Sequence, residues 1–337
     1  MAQPTEVPTA VTEAAAISVR GLVKRYGQIT AVDGIDLDVQ PGEIFGFLGP
    51  NGAGKSTTIK ILCTLVPATS GIARVADHDV RTERDAVRRN IGLVFQEPTL
   101  DGYLTAEQNL RFHCELYGMP RAVARARREE VLAMVSLLDR RWDLVQTYSG
   151  GMKRRLEIAR GLLHSPRVLF LDEPTIGLDP QTRASIWAYL GDLHRTTDVT
   201  VFVTTHYMDE AEHCDRLAIM NEGSIVALDT PHALKAALGK DRVQITTDDD
   251  QTALVALRDR FGLEAGMHEG AVTMAVTDGA GFVPRLVAEL GVPIRSVTVT
   301  RPSLDDVFLA HTGRTIRDAE AAGGGLGGLP PYLRSVR

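Results

Sequence analysis

The chain has 337 residues, 44% hydrophobic and 24% charged, with a formal net charge of −6. That length is about twice a typical domain and carries enough apolar material for a sizeable core. The acidic balance argues against a general nucleic-acid binder. Three widely spaced cysteines, Cys63, Cys114 and Cys214, argue against a disulfide framework or a zinc site and for free thiols in a reducing compartment.

Residues 1–16 are rich in Pro, Thr and Ala and lack a basic residue or an apolar segment, which predicts a disordered tail rather than a secretory leader. No apolar stretch approaches the roughly 20 residues needed to cross a bilayer, so any membrane role has to come through a partner chain. Alternating apolar and polar residues predict strands at Ile17–Val23 and Ile35–Val39. Lys24-Arg25-Tyr26-Gly27 reads as the turn after the first strand, and Pro41-Gly42 as a turn into the apolar run Ile44–Leu48.

That run is followed by Gly49-Pro50-Asn51-Gly52-Ala53-Gly54-Lys55-Ser56-Thr57, with apolar residues continuing at Ile59, Ile61, Leu62 and Leu65 in helical spacing. Strand, glycine-rich turn and helix are the setting in which Gly-x-x-x-x-Gly-Lys-Ser binds polyphosphate. Glycines at 49, 52 and 54 let backbone N–H groups wrap the phosphates, and the helix N-terminus adds partial positive charge. Lys55 reaches the β- and γ-phosphates, and the Ser56 hydroxyl suits Mg²⁺. These residues predict a nucleoside triphosphate site.

Further along, Thr69-Ser70-Gly71 marks a turn before Ile72–Val75, and Ile91–Phe95 reads as a buried strand ending at Gln96. Residues 105–164 read as helical throughout, with a capping box at Thr105–Gln108, a helix start at Pro120 and a long charged run Arg121–Arg141. Arg125, Arg127 and Arg128 fit a solvated helix face, offset by Glu129 and Glu130, better than an RNA contact. A helix over roughly Gly151–Leu163 opens at Tyr148-Ser149-Gly150-Gly151-Met152. Ser-Gly-Gly at a helix start is either a second anion site or a plain Ser N-cap, and the residues alone leave both open.

Two short β-branched and aromatic runs, Val168–Leu171 and Val199–Val203, suit central strands covered on both faces. They end in Asp172-Glu173 and Thr204-Thr205-His206, polar chemistry at carboxyl ends where open α/β sheets bind ligands. With Lys55-Ser56 in the same chain, Asp172 is placed to organise Mg²⁺ and Glu173 to orient or deprotonate an attacking water. Residues 241–312 read as strand, helix, strand, strand, helix, strand, the βαββαβ order of a ferredoxin-like module. A short helix after Pro302 completes them, and Gly323–Gly328 sits in a flexible tail, 313–337.

The ordered set Gly49–Thr57, Gln96, Tyr148–Met152, Val168–Glu173, Gly177-Leu178-Asp179 and His206 resembles the ATP-binding cassette of ABC transporters over residues 17–240. The resemblance implies an α/β P-loop cassette with a mixed sheet core, a helical subdomain at about 97–160, and an α+β accessory domain at 241–312. It implies ATP and Mg²⁺ as ligands. Tyr26 would stack on the adenine, and Gly49 to Thr57 (Pro50, Asn51, Gly52, Ala53, Gly54, Lys55 and Ser56 between) would hold the phosphates. Ser56, Gln96 and Asp172 would support the metal. Glu173 would be the general base, and His206 would contact the γ-phosphate.

The resemblance further implies that Ser149, Gly150 and Gly151 cap the γ-phosphate held by a second copy, with Asp179 lining the seam, so that an ATP-dependent homodimer builds two sites. Tyr148 and Met152 depart from the commoner Leu and Gln without touching that contact. Arg301-Pro302-Ser303-Leu304-Asp305-Asp306-Val307-Phe308-Leu309 resembles the ending of daunorubicin-resistance-type exporter ATPases, with Leu304, Val307 and Phe308 expected to pin a short helix on the small sheet. Together these imply an exporter subunit that drives efflux of a hydrophobic drug or lipid-like compound. It would sit at the cytoplasmic face of the membrane through a separate permease, with Glu97–Leu104 as part of the docking surface, and would bind no nucleic acid. The alternatives are an importer ATPase or a soluble cassette acting on translation or DNA.

Overall fold

A computed structural model describes residues 15–268 and 270–313. The tails expected at 1–16 and 313–337 lie outside it apart from their innermost residues. The described chain divides into two compact units that meet at Leu228–Asp229.

The first unit runs β1 (Ile17–Tyr26), β2 (Ile29–Val39), β3 (Ile44–Leu48), α1 (Lys55–Leu62), β4 (Ser70–Val75), β5 (His78–Asp79), α2 (Arg84–Asn90), β6 (Ile91–Val94), α3 (Ala106–Leu116), α4 (Arg121–Met134), α5 (Gly150–Leu162), β7 (Val168–Asp172), α6 (Pro180–Thr196), β8 (Thr200–Thr205), α7 (Met208–Ala211), β9 (Arg216–Asn221) and β10 (Ser224–Asp229). Two sheets form, in the orders β2-β1-β4-β5 and β10-β9-β3-β8-β7-β6. Every residue of β3, β7 and β8 is buried, as a sheet covered on both faces requires.

Alternate side chains of these strands serve opposite cores. Phe45, Phe47, Phe170 and Phe202 point to a cluster shared with β1, β2, β4 and α1, and the other three rings each lie 5.5 Å from Phe202. Leu169, Leu171, Val201 and Val203 point to a second cluster, built with α3 to α6. The parallel registers Leu48↔Thr205 and Asp172↔Thr204 bring the carboxyl ends of β3, β8 and β7 side by side. The sheet therefore delivers the polar ends of three strands to one rim.

The helical region is less regular than the sequence suggests. α3 has the expected capping box, with Gln108 N donating to Thr105 Oγ1 at 3.2 Å and Thr105 N to Gln108 Oε1 at 2.8 Å. α4 stops at Met134, not Arg141, where Ser136 takes a left-handed φ of 55°. Residues between there and α5 form two single 3₁₀ turns and an extended stretch that bridges Thr105 to Leu144, so 105–164 is not helical throughout. Of Arg125, Arg127 and Arg128 on α4, only Arg125 is exposed. Arg128 pairs with Glu107 at 2.7 Å, and Arg127 donates to the carbonyls of Leu162 and Leu163.

The second unit holds α8 (Pro231–Ala237), β11 (Asp241–Thr247), α9 (Asp250–Phe261), β12 (Ala265–His268), β13 (Ala271–Val276), α10 (Gly279–Glu289), β14 (Ile294–Thr300) and α11 (Leu304–Thr312). Its antiparallel sheet has the order β12-β13-β11-β14. That is the ferredoxin-like arrangement expected from the βαββαβ pattern. Asp249, Asp278 and Ser303 accept backbone N–H bonds that start α9, α10 and α11. Leu304, Val307 and Phe308 are buried on one face of α11 as expected. That face does not join the apolar cluster under the small sheet, and α11 packs on α8 instead.

Candidate functional site: a phosphate loop facing a buried Lys–Glu–His line

Three glycines permit the turn from β3 into α1. Gly52 and Gly54 have φ of 82° and 108°, in the left-handed range that disfavours a side chain. A Cβ at Gly54 would stand 2.4 Å from Ala31 O, and one at Gly49 only 2.3 Å from Met220 O. Asn51 and Gly52 stay exposed at the tip, Pro50 O accepts from Ala53 N at 3.2 Å, and Thr57 is half-buried in the first turn of α1. Gly49 N donates to Thr205 O at 3.3 Å, fixing the loop to the end of β8.

Lys55 is 4% exposed, and its Nζ donates to Gly49 O at 2.6 Å and Pro50 O at 3.1 Å. The same ammonium lies 3.4 Å from Glu173 Oε1, and His206 Nδ1 lies 3.4 Å from Glu173 Oε2. Neither Glu173 Oε2 nor His206 Nδ1 has a hydrogen-bond partner among the described residues, though both are buried. Burial pushes the Glu173 carboxyl up, but His206 and Lys55 outweigh it and hold the group below its ordinary range. It is therefore ionised at neutral pH, a state in which it can accept a proton. Glu173 also takes a left-handed φ of 46°, a strained conformation for a residue with a side chain. Its N–H donates to Thr204 Oγ1 at 3.0 Å.

Asp172, at the end of β7, accepts at Oδ1 from Ser56 Oγ at 3.0 Å and from Thr204 Oγ1 at 2.7 Å. Ser56 and Asp172 are thus brought together as expected, and their oxygen-only donors suit a hard cation such as Mg²⁺. Gln96 is exposed two residues beyond the end of β6, which stops at Val94 rather than Phe95. It lines, with Glu173 and Gly150, a cleft of about 110 Å³. Tyr26 is the last residue of β1, paired with Ile29, so the turn is Gly27-Gln28 and Tyr26 stands in the strand. Its ring carries Lys24 Nζ at 4.7 Å.

Ser149 is the N-cap of α5, its Oγ accepting from Met152 N at 3.3 Å, and Ser149 and Gly150 are exposed. It makes no hydrogen bond or ion pair with Lys55 among the described residues. Gly151 is buried, and a Cβ there would meet Thr182 Cγ2 at 2.4 Å. Asp179 caps α6 ahead of Pro180, accepting from Thr182 N at 3.0 Å and from the Thr182 hydroxyl. Those hydrogen bonds lower its carboxyl below the usual range.

Three buried groups were not marked as site residues by their sequence. Thr204 joins Asp172 to the Glu173 amide. Glu210 accepts from Thr205 Oγ1 at 2.7 Å and from the Thr175 hydroxyl, tying the segment after Glu173 to the strand before His206. Arg154 reaches the backbone on both sides of Glu173. Only the Thr-Thr-His ending of β8 carried a local signal for any of them.

A phosphate loop, a hydrogen-bonded Asp–Ser pair and a strand-end glutamate at the rim of a mixed sheet define a P-loop ATPase cassette. The profile of the ABC transporter family matches residues 32–176, and that of the DrrA1-3-like C-terminal domain of ATP-binding proteins matches residues 230–312. The chain is 42% identical over 312 residues to a daunorubicin/doxorubicin resistance ATP-binding protein, DrrA, of Streptomyces peucetius, covering 90% of this chain and 94% of that one. It is 38% identical over 319 residues to the linearmycin resistance ATP-binding protein LnrL of Bacillus subtilis, covering 90% of this chain and 100% of that one. Among solved structures it is similar to cbiO1 of Clostridium perfringens, part of the transporter complex cbiONQ, with TM-score 0.63, 28% identity and coverage of 74% and 98%. It is also similar to the cassette MJ0796 in a dimeric post-hydrolysis state with ADP and Pi, with TM-score 0.57, 29% identity and coverage of 64% and 98%. The chain belongs to the ABC transporter ATP-binding proteins, in the group that carries the DrrA-type C-terminal domain. It is an ABC-type ATPase, and no helix among the described residues is long and apolar enough to cross a membrane.

Proposed function

We propose that two copies of this chain close around two ATP molecules and that closure drives efflux of a hydrophobic drug or lipid-like compound through a separate permease. The observation that carries this reading is the convergence of Lys55, Ser56, Asp172, Glu173 and His206 at one rim, while Ser149 and Gly150 stand exposed at the N-terminus of the otherwise largely buried α5. Each chain then carries two half-sites. Gly49 to Thr57 hold the phosphates of one ATP, and Ser149 to Gly151 present N–H groups and a hydroxyl to the ATP of the partner copy. Asp179 lies along the seam and Tyr26 stacks on adenine.

In this reading Glu173 takes a proton from the attacking water, Gln96 orients that water, and His206 donates to the γ-phosphate as charge develops. When bound, Mg²⁺ would be held by Ser56, Asp172 and Gln96 and would neutralise phosphate charge. Lys55 exchanges part of its pairing with Glu173 for phosphate oxygens, and Glu173 keeps His206 as partner. ATP shared between copies favours the closed dimer, and hydrolysis removes that preference, so the permease alternates.

A groove of about 600 Å³ beside Gln96, lined by Leu65, Phe95, Thr99, Phe112, His113 and Tyr117, suits an amphipathic helix of the permease. Phe112 is 56% and Tyr117 45% exposed. This groove adds α3 and the end of α1 to the docking surface expected from Glu97–Leu104. The test is co-expression with a candidate permease, a protein with about six transmembrane helices sought in an adjacent reading frame. The chain should enter the membrane fraction only with that partner, and cells should then hold less daunorubicin, an effect that the Glu173→Gln variant lacks. Unchanged drug content despite a membrane-bound, ATP-hydrolysing complex would reject the exporter reading.

A further inference from the structure

We propose that Arg154, with Glu157, is a positioning residue that couples the Ser149–Gly151 end of α5 to Glu173 and to Gln96. The proposal rests on the ATPase reading and adds a mechanical link to it. Arg154 is 6% exposed and Glu157 1%. The guanidinium Nε donates to Pro174 O at 2.6 Å and Nη2 to Asp172 O at 3.1 Å, the two carbonyls that flank Glu173. Nη1 donates to Phe95 O, the carbonyl just before Gln96, and to Glu157 Oε2 at 3.0 Å. Glu157 Oε1 in turn accepts from Thr99 N at 2.8 Å, and Arg160 Nη2 donates to Thr99 Oγ1 at 2.6 Å. One helix therefore holds the strand ends that carry Glu173 and Gln96 as well as the loop beyond Gln96.

A planar fork with fixed donor directions can serve separated carbonyls in this way, whereas a lysine ammonium offers a single centre. Stability alone does not call for such a cation, because a buried ion pair gains little or nothing over well-packed apolar side chains. Nor does the local fold, since the carbonyls come from the end of β7 and from the segments just beyond β7 and β6, 18 to 59 residues away in sequence. Glu173 sits in a strained backbone conformation, so the two bonds on either side of it set where its carboxylate stands. When a partner's ATP pulls on the first turn of α5, the same rigid helix moves the Asp172, Pro174 and Phe95 carbonyls.

The test uses the full chain with Arg154→Lys and Glu157→Gln. Folding is read by binding of one fluorescent ATP analogue per chain, a contact made by Lys55 and the glycine loop, and activity by kcat and KM for ATP. Misplacing a catalytic group by a fraction of an ångström is expected to lower kcat about tenfold for Arg154→Lys and about threefold for Glu157→Gln, with KM within about twofold of wild type. If Arg154→Lys fails to fold, Glu157→Gln decides alone. Nucleotide-binding variants whose kcat stays at the wild-type value would overturn the proposal. Absence of hydrolysis by the wild-type chain would instead reject the ATPase reading on which it rests.

Discussion

Replacing Glu173 with Gln is expected to lower ATP turnover by a factor on the order of 10² or more while leaving ATP binding intact, because a general base contributes that much. The amide keeps the shape of the side chain within reach of Lys55 and His206 but cannot accept the proton from water. The acid limb of the wild-type profile should report the same group. Its carboxyl lies below its ordinary value in the folded chain, so the base form and its pairing with Lys55 are fully present at neutral pH. Both are lost only as pH falls through that lowered value. Steady-state hydrolysis against pH measures it. Near-wild-type turnover in the Gln variant would move the base elsewhere.

Lys55→Ala should have the second large effect. The ammonium is buried and bonds to Gly49 O and Pro50 O, so its loss removes both the phosphate partner and a brace of the loop. Affinity for ATP should fall at least about tenfold, since a charge-assisted contact is worth about 1.5–3 kcal/mol. The substitution also leaves the buried Glu173 carboxylate without its Lys55 ammonium, at a cost on the order of 3–5 kcal/mol. Calorimetric titration and thermal unfolding together separate the two losses. Unchanged affinity would mean that the glycine loop alone holds the nucleotide.

Much of the site was legible because its residues are contiguous. The glycine spacing dictates the loop from β3 into α1, and apolar runs ending in Asp172-Glu173 and Thr205-His206 dictate where two central strands stop. The ferredoxin-like unit was legible for a related reason, since its elements alternate in period cleanly between short turns. What stayed hidden was tertiary. Arg154 reads as one of several basic residues on a helix, yet its partners are 18, 20 and 59 positions away. The end of α4 was misplaced because its arginines mimic a continuing charged helix, while Arg127 and Arg128 are bonded to α5 and α3. Buried Leu304, Val307 and Phe308 announced an apolar face, but periodicity does not say that α8 covers it.

Light scattering on the Glu173→Gln chain, with and without Ser149→Arg, tests the shared site most directly. With ATP and Mg²⁺ the single variant should double its mass from 36.6 kDa, and with ADP it should not. Adding Ser149→Arg should leave ATP binding in place and abolish the dimer. A nucleotide-loaded chain that stays at the single-copy mass, or a dimer indifferent to the arginine, would contradict a triphosphate held between copies.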